Sequence, residues 1–247
     1  MFYELKSSMR QIYLVMLSVF FSYSLDAQNE KFYSNEELVE LLNEEVQKEI
    51  NIVRQNPGRY RDIMELAGRL DPKRYETGVE GSWFVKEKSE YFVSRITTHE
   101  GISAYKEADS FLKKQQAMKA YKFSEGLKLE AKKQCEYIQR IGILTHARPN
   151  GQGLDYVKKL KGNGIRLVGE VLAQLDNRIT PGEFTESQLK NKIEEIVLGW
   201  IVDDGIKDRG HRKGLFHEAH NYFGAYCLID KNGTVICAVE FATLPLE

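Results

Sequence analysis

The sequence has few cysteines and almost no net charge, and each shortage excludes a class of protein. Cysteine occurs three times, at Cys135, Cys227 and Cys237. An odd count leaves at least one thiol unpaired and argues against a scaffold held by disulfides. The formal net charge is −1, so the whole molecule has no attraction to nucleic acid or to an anionic membrane. There is no basic stripe interleaved with aromatic residues, and nucleic-acid binding is not expected.

Long apolar runs are also missing, apart from one near the N-terminus. Residues 12–23 are mainly apolar, follow Lys6 and Arg10, and precede Ala27. This pattern is typical of a cleaved export signal, and the run is short for a membrane span. We therefore expect a signal peptide over residues 1–27, no later transmembrane segment, and a secreted protein, extracellular or periplasmic. No cysteine lies near the predicted cleavage point, so an anchor on a lipid-modified cysteine is not expected.

Common catalytic signatures are absent as well. The sequence contains no Gly-x-Ser-x-Gly elbow, no Walker loop and no dinucleotide fingerprint. It also lacks the short zinc signatures His-Glu-x-x-His and Cys-x-x-Cys. Cys135 lies on the apolar face of a predicted helix, and the other two cysteines lie in predicted strands. A cysteine nucleophile is therefore not expected.

Four amphipathic helices are predicted, and each follows a residue that commonly caps a helix. The caps are Ser34 with Glu37, Thr97 with Glu100, Ser124, and Thr185 with Gln188. A further helix follows Asn56-Pro57, since proline is favoured at a first helical position.

Strands are predicted late in the chain, at residues 165–173 and in a hairpin of residues 222–229 and 234–241. Helices first and strands last favour an α+β fold. Residues 71–95 are less regular, and we expect them to be a helical or irregular insertion into one domain of residues 28–247.

The hairpin leaves the pairing of two cysteines open. Cys227 and Cys237 flank the turn signal Asp230-Lys231-Asn232-Gly233. A two-residue Asn-Gly turn would place Cys227 opposite Ala238. A loop with one more bulged residue would place the two cysteines face to face. A one-residue difference in register therefore decides whether a disulfide forms.

Glu170 follows Gly169 inside an apolar strand. A buried carboxylate is costly unless it is paired, so Glu170 should have a partner or line a cavity. The alternative is a position facing solvent on an edge strand. A glycine in a strand often marks the close approach of another group or a ligand, which favours the first interpretation.

The segment from Asp203 to Arg212 combines acids, bases and a histidine with two glycines, Gly205 and Gly210. Asp203 and Asp204 come at the end of a predicted helix, with Gly205 placed to cap it. Acids there oppose the helix dipole by about 0.3–1 kcal/mol each. Either the charge is used, or the helix end is exposed and the penalty is screened.

His146 and His211 each follow a predicted helix among polar residues and glycine. Two histidines with nearby carboxylates are a plausible set for a divalent transition metal such as zinc. The other histidines, His99, His217 and His220, are expected to be ordinary surface or hydrogen-bonded residues.

The order of these residues resembles the CAP superfamily, which includes the cysteine-rich secretory proteins and the pathogenesis-related proteins of plants. His146, Gly169-Glu170, residues 200–205 and residues 209–212 occur in that order, as in the microbial secreted branch with its SCP-like extracellular domain. The similarity covers roughly residues 34–242. Two departures stand out: Asp203 replaces the more usual Glu, and Val171 replaces the Asn of Gly-Glu-Asn.

The resemblance implies a three-layer α-β-α sandwich with a mainly antiparallel sheet and a central cleft. His146 and His211 would be the metal ligands, with zinc the expected ion, and Glu170 and Asp203 the cleft acids. The other polar residues of the loop would brace it: Asp204, Asp208, Arg209 and Arg212.

Two functions follow from the resemblance, because the family has been linked to metal binding, sterol or lipid binding, and proteolysis. The preferred one is an extracellular binding module for a divalent metal or a small or lipidic ligand, without enzymatic activity. The alternative is a zinc-dependent hydrolase in which Glu170 is the general base to a bound water. The partner itself is not identified by the residues.

Overall fold

The structure is a computed structural model that describes residues 33–72, 75–77, 83–88, 93–149, 167–175, 179 and 184–243. The predicted signal peptide lies outside these residues. The described helices are α1 Asn35–Gln55, α2 Gly58–Leu66, α3 Ile102–Lys114, α4 Glu125–Ile141, α5 Glu186–Val202 and α6 Gly210–Leu215. The described strands are β1 Tyr75–Thr77, β2 Trp83–Lys88, β3 Val93–Thr98, β4 Lys122–Phe123, β5 Leu167–Leu175, β6 Tyr222–Ile229 and β7 Val235–Thr243. No helix within these ranges has both the length and the apolar character needed to cross a membrane.

Capping residues fix three of the helix starts as the sequence predicts. Ser34 and Glu37 form a reciprocal capping box at α1, and Thr185 and Gln188 do the same at α5. The hydroxyl of Ser124 accepts a backbone hydrogen bond at the start of α4. These bonds satisfy amide groups that have no partner inside the helix. The three predictions are confirmed.

The capping box predicted at Thr97 and Glu100 is wrong. Thr97 pairs with β2 as part of strand β3, and α3 begins after Gly101, whose φ of 62° breaks the chain direction. Glu100 instead binds the guanidinium of Arg209 through both of its carboxylate oxygens. A charged partner distant in sequence therefore took the carboxylate that a local cap would have used.

The main sheet has the strand order β4-β6-β7-β5. Strand β7 pairs antiparallel with β5 and with β6, while the short β4 pairs parallel with β6. The sheet is thus mixed but mostly antiparallel, and the α+β class is confirmed. Within the described residues β5, which carries Glu170, forms one edge of this sheet.

Helices cover both faces of the main sheet. Val171 and Phe241 face the larger core, which includes apolar residues of α1 and α5. Leu172 and Ala238 face the other way and pack against α4, where Cys135 is buried as predicted. Alternate residues of a strand point to opposite faces, so each strand serves both cores. The result is the α-β-α sandwich that the resemblance implies.

Residues 75–98 contain a separate three-stranded antiparallel sheet with the order β1-β2-β3. The sequence predicted a helical or irregular insertion near residues 71–95. The described residues of this range include three strands. Residues 83–85 are aromatic or β-branched, as strands prefer. The charged residues 86–88 that follow interrupt the apolar alternation by which a strand is recognised.

Cys227 and Cys237 lie directly opposite each other and form a disulfide. Strand pairing ends at Ile229 and Val235, so residues 230–234 form the connection instead of a two-residue turn. The carboxylate of Asp230 accepts hydrogen bonds from backbone amides inside this loop. That local bonding selects the longer of the two registers left open by the sequence.

Removing this disulfide should lower the free energy of unfolding by about 2–3 kcal/mol, because a cross-link restricts the unfolded chain. The sequence separation of its cysteines is 10, so the restricted loop is short. Urea unfolding of Cys227→Ala/Cys237→Ala against wild type measures the loss. Reductant should destabilise wild type and Cys135→Ala alike and leave the double variant unchanged. An unfolding midpoint that ignores reductant in wild type would contradict the prediction.

Candidate functional site

Asp203 ends α5, and its carboxylate accepts hydrogen bonds from backbone amides in the first turn of α6. Its backbone adopts the left-handed conformation with φ 56°, so Asp203, and not Gly205, caps α5. One carboxylate oxygen accepts from the backbone amide of His211 at 2.9 Å, and the other lies 2.6 Å from His211 Nδ1. Aspartate tolerates this conformation better than most residues because its side chain can form such local bonds. The acid is therefore used, and it is buried.

Several polar residues that follow bind groups outside the loop. Asp204 accepts hydrogen bonds from the backbone amides of residues 99 and 100. Arg209 binds Glu100 and Glu107, and Arg212 binds Glu107. Hydrogen bonds from Arg209 lower the pKa of Glu100 to about 2, so this carboxylate stays charged. The loop is thereby tied to α3 and to the end of β3.

Arg212 also donates to the carbonyl oxygens of Ile201 and Val202 at the end of α5. These carbonyls have no partner inside the helix, so the guanidinium satisfies them. Asp208 differs from Asp204, Arg209 and Arg212 because it is exposed, with its carboxylate close to Gly210. Its predicted bracing role stays a prediction.

His146 follows α4 and its Nδ1 lies 2.7 Å from Glu170 Oε1. The imidazole is 55% exposed, whereas the Glu170 side chain is fully buried. Arg148 Nη2 lies 2.5 Å from the second oxygen of Glu170. Burial by itself would raise the pKa of Glu170, but the hydrogen bond with His146 and the positive charge of Arg148 hold it below its usual value. Glu170 is thus a paired buried acid, and the solvent-facing alternative is wrong.

Two further residues of this site were not singled out from the sequence. Arg148 also forms an ion pair with Glu240, which lies directly opposite Glu170 on β7 and is completely buried. Burial and the charge of Glu170 raise the pKa of Glu240 well above its usual value. Glu240 has the same sequence signal as Glu170, an acid inside an apolar strand, and could have been found by it.

Each histidine is held by one buried acid in the same manner. A carboxylate can only accept a hydrogen bond, so the Nδ1 atoms of His146 and His211 must carry the proton. In the neutral ring the lone pair then belongs to Nε2, on the side away from the acid. This arrangement, in which a carboxylate orients an imidazole, is the one usually found behind metal-binding histidines.

The two histidine–acid pairs belong to opposite faces of edge strand β5. Glu170 shares its face with Val168 and Leu172, which pack in the clusters beside α4. Helix α6, which carries His211, packs on the other face, where Gly214 lies against Val171. No described hydrogen bond or ion pair links the two pairs. The described residues also include no group of three or more His, Cys, Asp or Glu side chains placed to hold a metal.

Gly169 is explained by its neighbour. A Cβ atom at this position would lie 3.0 Å from Nε2 of His220, so the close approach predicted at this glycine is that of an imidazole. His220 is buried, stacks on Phe241 and has its ring close to that of His217, and burial lowers its pKa to about 4. It is therefore a neutral core residue at physiological pH. His99 is exposed, with its ring against Gly205.

No family model matches the sequence, and no curated protein does. Among solved structures, the chain is similar to an outer surface protein of Borrelia burgdorferi, with 17% identity, a TM-score of 0.38, and coverage of 57% of this chain and 90% of that one. An extracellular protein with an SCP domain from Bacillus anthracis shows 12% identity, a TM-score of 0.36, and coverage of 67% and 58%. The CAP domain of enterococcal PrgA shows 15% identity, a TM-score of 0.35, and coverage of 51% and 54%.

The chain thus spans less than two thirds of the latter two structures. Both are named for the SCP or CAP domain, the group that the motif residues resemble.

Proposed function

We propose that this chain is an extracellular binding module that binds a divalent metal ion, zinc being the first candidate, through Nε2 of His146 and His211. The observation that carries the proposal is the matched pair of imidazoles, each held at Nδ1 by a buried carboxylate. An ordinary surface histidine needs no such support. This chain has two histidines with such support, in the order found in CAP proteins, which favours a shared role in binding a ligand.

The exposure of the groups supports a ligand that arrives from solvent. The His146 side chain is 55% exposed and that of His211 is 22% exposed, while both acids behind them are buried. Strand β5 is an edge strand among the described residues, and the proposed ion would lie at that edge, between the groups on its two faces. A bound zinc ion would supply a Lewis acid there. Glu170 and Asp203 would orient the ligands without contacting the ion.

The alternative of a zinc-dependent hydrolase places a demand on Glu170. A general base needs a free carboxylate oxygen within reach of the reacting water. In the structure one oxygen of Glu170 faces His146 and the other faces Arg148, and the side chain is buried. Glu170 would have to leave Arg148 before it could act as a base, so a binding module is the better supported function.

A lipidic ligand has less support than a metal ion. One cavity of about 430 Å³ is lined by Phe111 and Phe216 but also by Arg212, Lys213 and Glu218. A second, of about 350 Å³, contains Glu44 and Lys48 next to two phenylalanines. Lipid sites are predominantly apolar, and these two cavities carry charges of both signs.

Zinc titration of the metal-free protein, followed by calorimetry, tests the proposal. We expect saturable binding, and we expect His146→Ala and His211→Ala each to weaken it by at least about tenfold, equivalent to 1.4 kcal/mol. His99→Ala is the matched control, because His99 is exposed and belongs to neither pair. Unchanged zinc affinity in the double variant His146→Ala/His211→Ala would reject the proposed site.

A further inference from the structure

The buried acid pair, Glu170 and Glu240, places two carboxyl groups beside a single guanidinium. The two residues are cross-strand partners on β5 and β7. Both side chains are fully buried, and both contact the same Nη2 atom of Arg148. Two negative charges that contact the same guanidinium nitrogen repel each other, and the repulsion is stronger in the protein interior than in water. One guanidinium cannot neutralise two buried carboxylates.

The hydrogen bonds of the pair indicate the same imbalance. Oε2 of Glu170 and Oε2 of Glu240 are buried, and neither accepts a hydrogen bond from the described residues, since the contact of Arg148 with Oε2 of Glu170 is an ion pair only. Two ionised carboxylates cannot bond to each other because both only accept. A proton on one of them would supply a donor for the other. A single proton therefore reduces the charge and satisfies two buried atoms.

The surroundings decide which residue carries that proton. Glu170 has a second donor, Nδ1 of His146, which stabilises its charged form. The groups that face Glu240 are Glu170 from β5, Arg148 from the segment after α4, and Cys135 from α4. Burial raises the pKa of the Cys135 thiol, so it adds no charge. On strand β6 the residue opposite Glu240 is Gly224. Because Gly224 has no side chain, it adds no charge.

We propose that Glu240 keeps its proton in the folded protein at neutral pH and donates it to Glu170, which makes Glu240 a positioning residue for the pair of Glu170 and His146. The buried group then consists of one carboxylate, one neutral carboxyl and one guanidinium, with no net charge. The carboxyl group of Glu240 fixes Glu170, and Glu170 fixes the imidazole with Nε2 outward. None of this requires a metal ion, so zinc binding and the Glu240 proton can fail independently.

The pH dependence of stability in Glu240→Gln tests the charge state. Glu240 would be neutral in the folded protein and ionised in the unfolded chain. Such a group lowers the free energy of unfolding as the pH rises above its unfolded pKa of about 4.3. Glutamine cannot ionise and removes this loss. The unfolding equilibrium constant of wild type, divided by that of Glu240→Gln, should therefore rise about tenfold per pH unit above about pH 5 until the folded pKa is reached.

Urea unfolding at pH 5, 6, 7 and 8 gives this ratio. Glu136→Gln is the matched control, since Glu136 is an exposed acid on α4, and its ratio to wild type should be nearly flat over the same range. A flat or falling ratio for Glu240→Gln would overturn the proposal. Carbon-13 NMR of the Glu240 carboxyl in wild type gives a second reading that does not depend on a variant. It should show no titration below pH 7, and a midpoint near the ordinary value would equally overturn it.

Nitrogen-15 NMR of His146 tests the positioning role. Glu240→Gln should keep the Nδ1–H tautomer, because an amide can donate to Glu170 as the neutral carboxyl does. Glu240→Leu has no donor and should lose part of that tautomer population. The same tautomer fraction in both variants would show that Glu240 does not position His146.

Discussion

Arg148→Met should lower the free energy of unfolding by about 3–5 kcal/mol, the usual loss when one partner of a buried ion pair is removed. Arg148 is itself 5% exposed and binds two carboxyl groups that are both fully buried. Methionine fills similar space without a charge, so Glu170 would keep its negative charge without the guanidinium. The loss should therefore exceed that of an ordinary surface substitution several-fold.

Urea unfolding at pH 7 measures this loss, and the chain offers a matched control. Arg140 is exposed near the end of α4, where its guanidinium lies over the ring of Tyr137. Arg140→Met should change stability by no more than about 0.5 kcal/mol. Arg148→Lys keeps the charge and should recover part of the loss. A loss below 1 kcal/mol for Arg148→Met, within the range of an ordinary substitution, would mean that the acid pair is not held by this guanidinium.

Gly224→Ala should cost about 3 kcal/mol or more, at the upper end of overpacking effects. A Cβ atom on this residue of β6 would lie 2.0 Å from the backbone nitrogen of Lys128 and 2.4 Å from the carbonyl carbon of Leu127. Both atoms belong to the first turn of α4, so no side-chain rotation can relieve the contact. Helix α4 would have to move away from the sheet, and the core beside it would lose contacts.

Gly199→Ala should change the free energy of unfolding in the opposite direction and is the contrasting variant. Gly199 lies within α5 and is exposed, and a Cβ atom there meets nothing within 4 Å. Alanine in an open helical position should add about 0.8–1 kcal/mol of stability. Thermal unfolding of both variants tests the contrast. Similar stability for Gly224→Ala and wild type would contradict the close packing of β6 on α4.

Much of the fold could be predicted because it depends on local patterns. Ser34, Ser124 and Thr185 cap their helices through bonds that span three residues, so short stretches of sequence contain the whole signal. The buried thiol of Cys135 follows from helical periodicity alone. Two strands at the end of the chain follow from their β-branched and aromatic residues.

Predictions failed or stayed open for two different reasons. Glu100 could have capped a helix, but Arg209, 109 residues away, binds it. The register of the hairpin depends on how residues 230–234 bond to one another, and two registers fit the residues equally well. A local pattern does not identify a distant partner, so tertiary contact decided the role of Glu100.

By itself the sequence determined the candidate site residues, because His146, Glu170, Asp203 and His211 are chemically conspicuous where they stand. Only the tertiary structure decided how they combine: each histidine with one acid, on opposite faces of β5. It also added Arg148 and Glu240, whose ion pair joins residues 92 positions apart. The physical reason is that residue type sets what a side chain can bond to, while burial and strand register set which partner it meets and whether it carries a charge there.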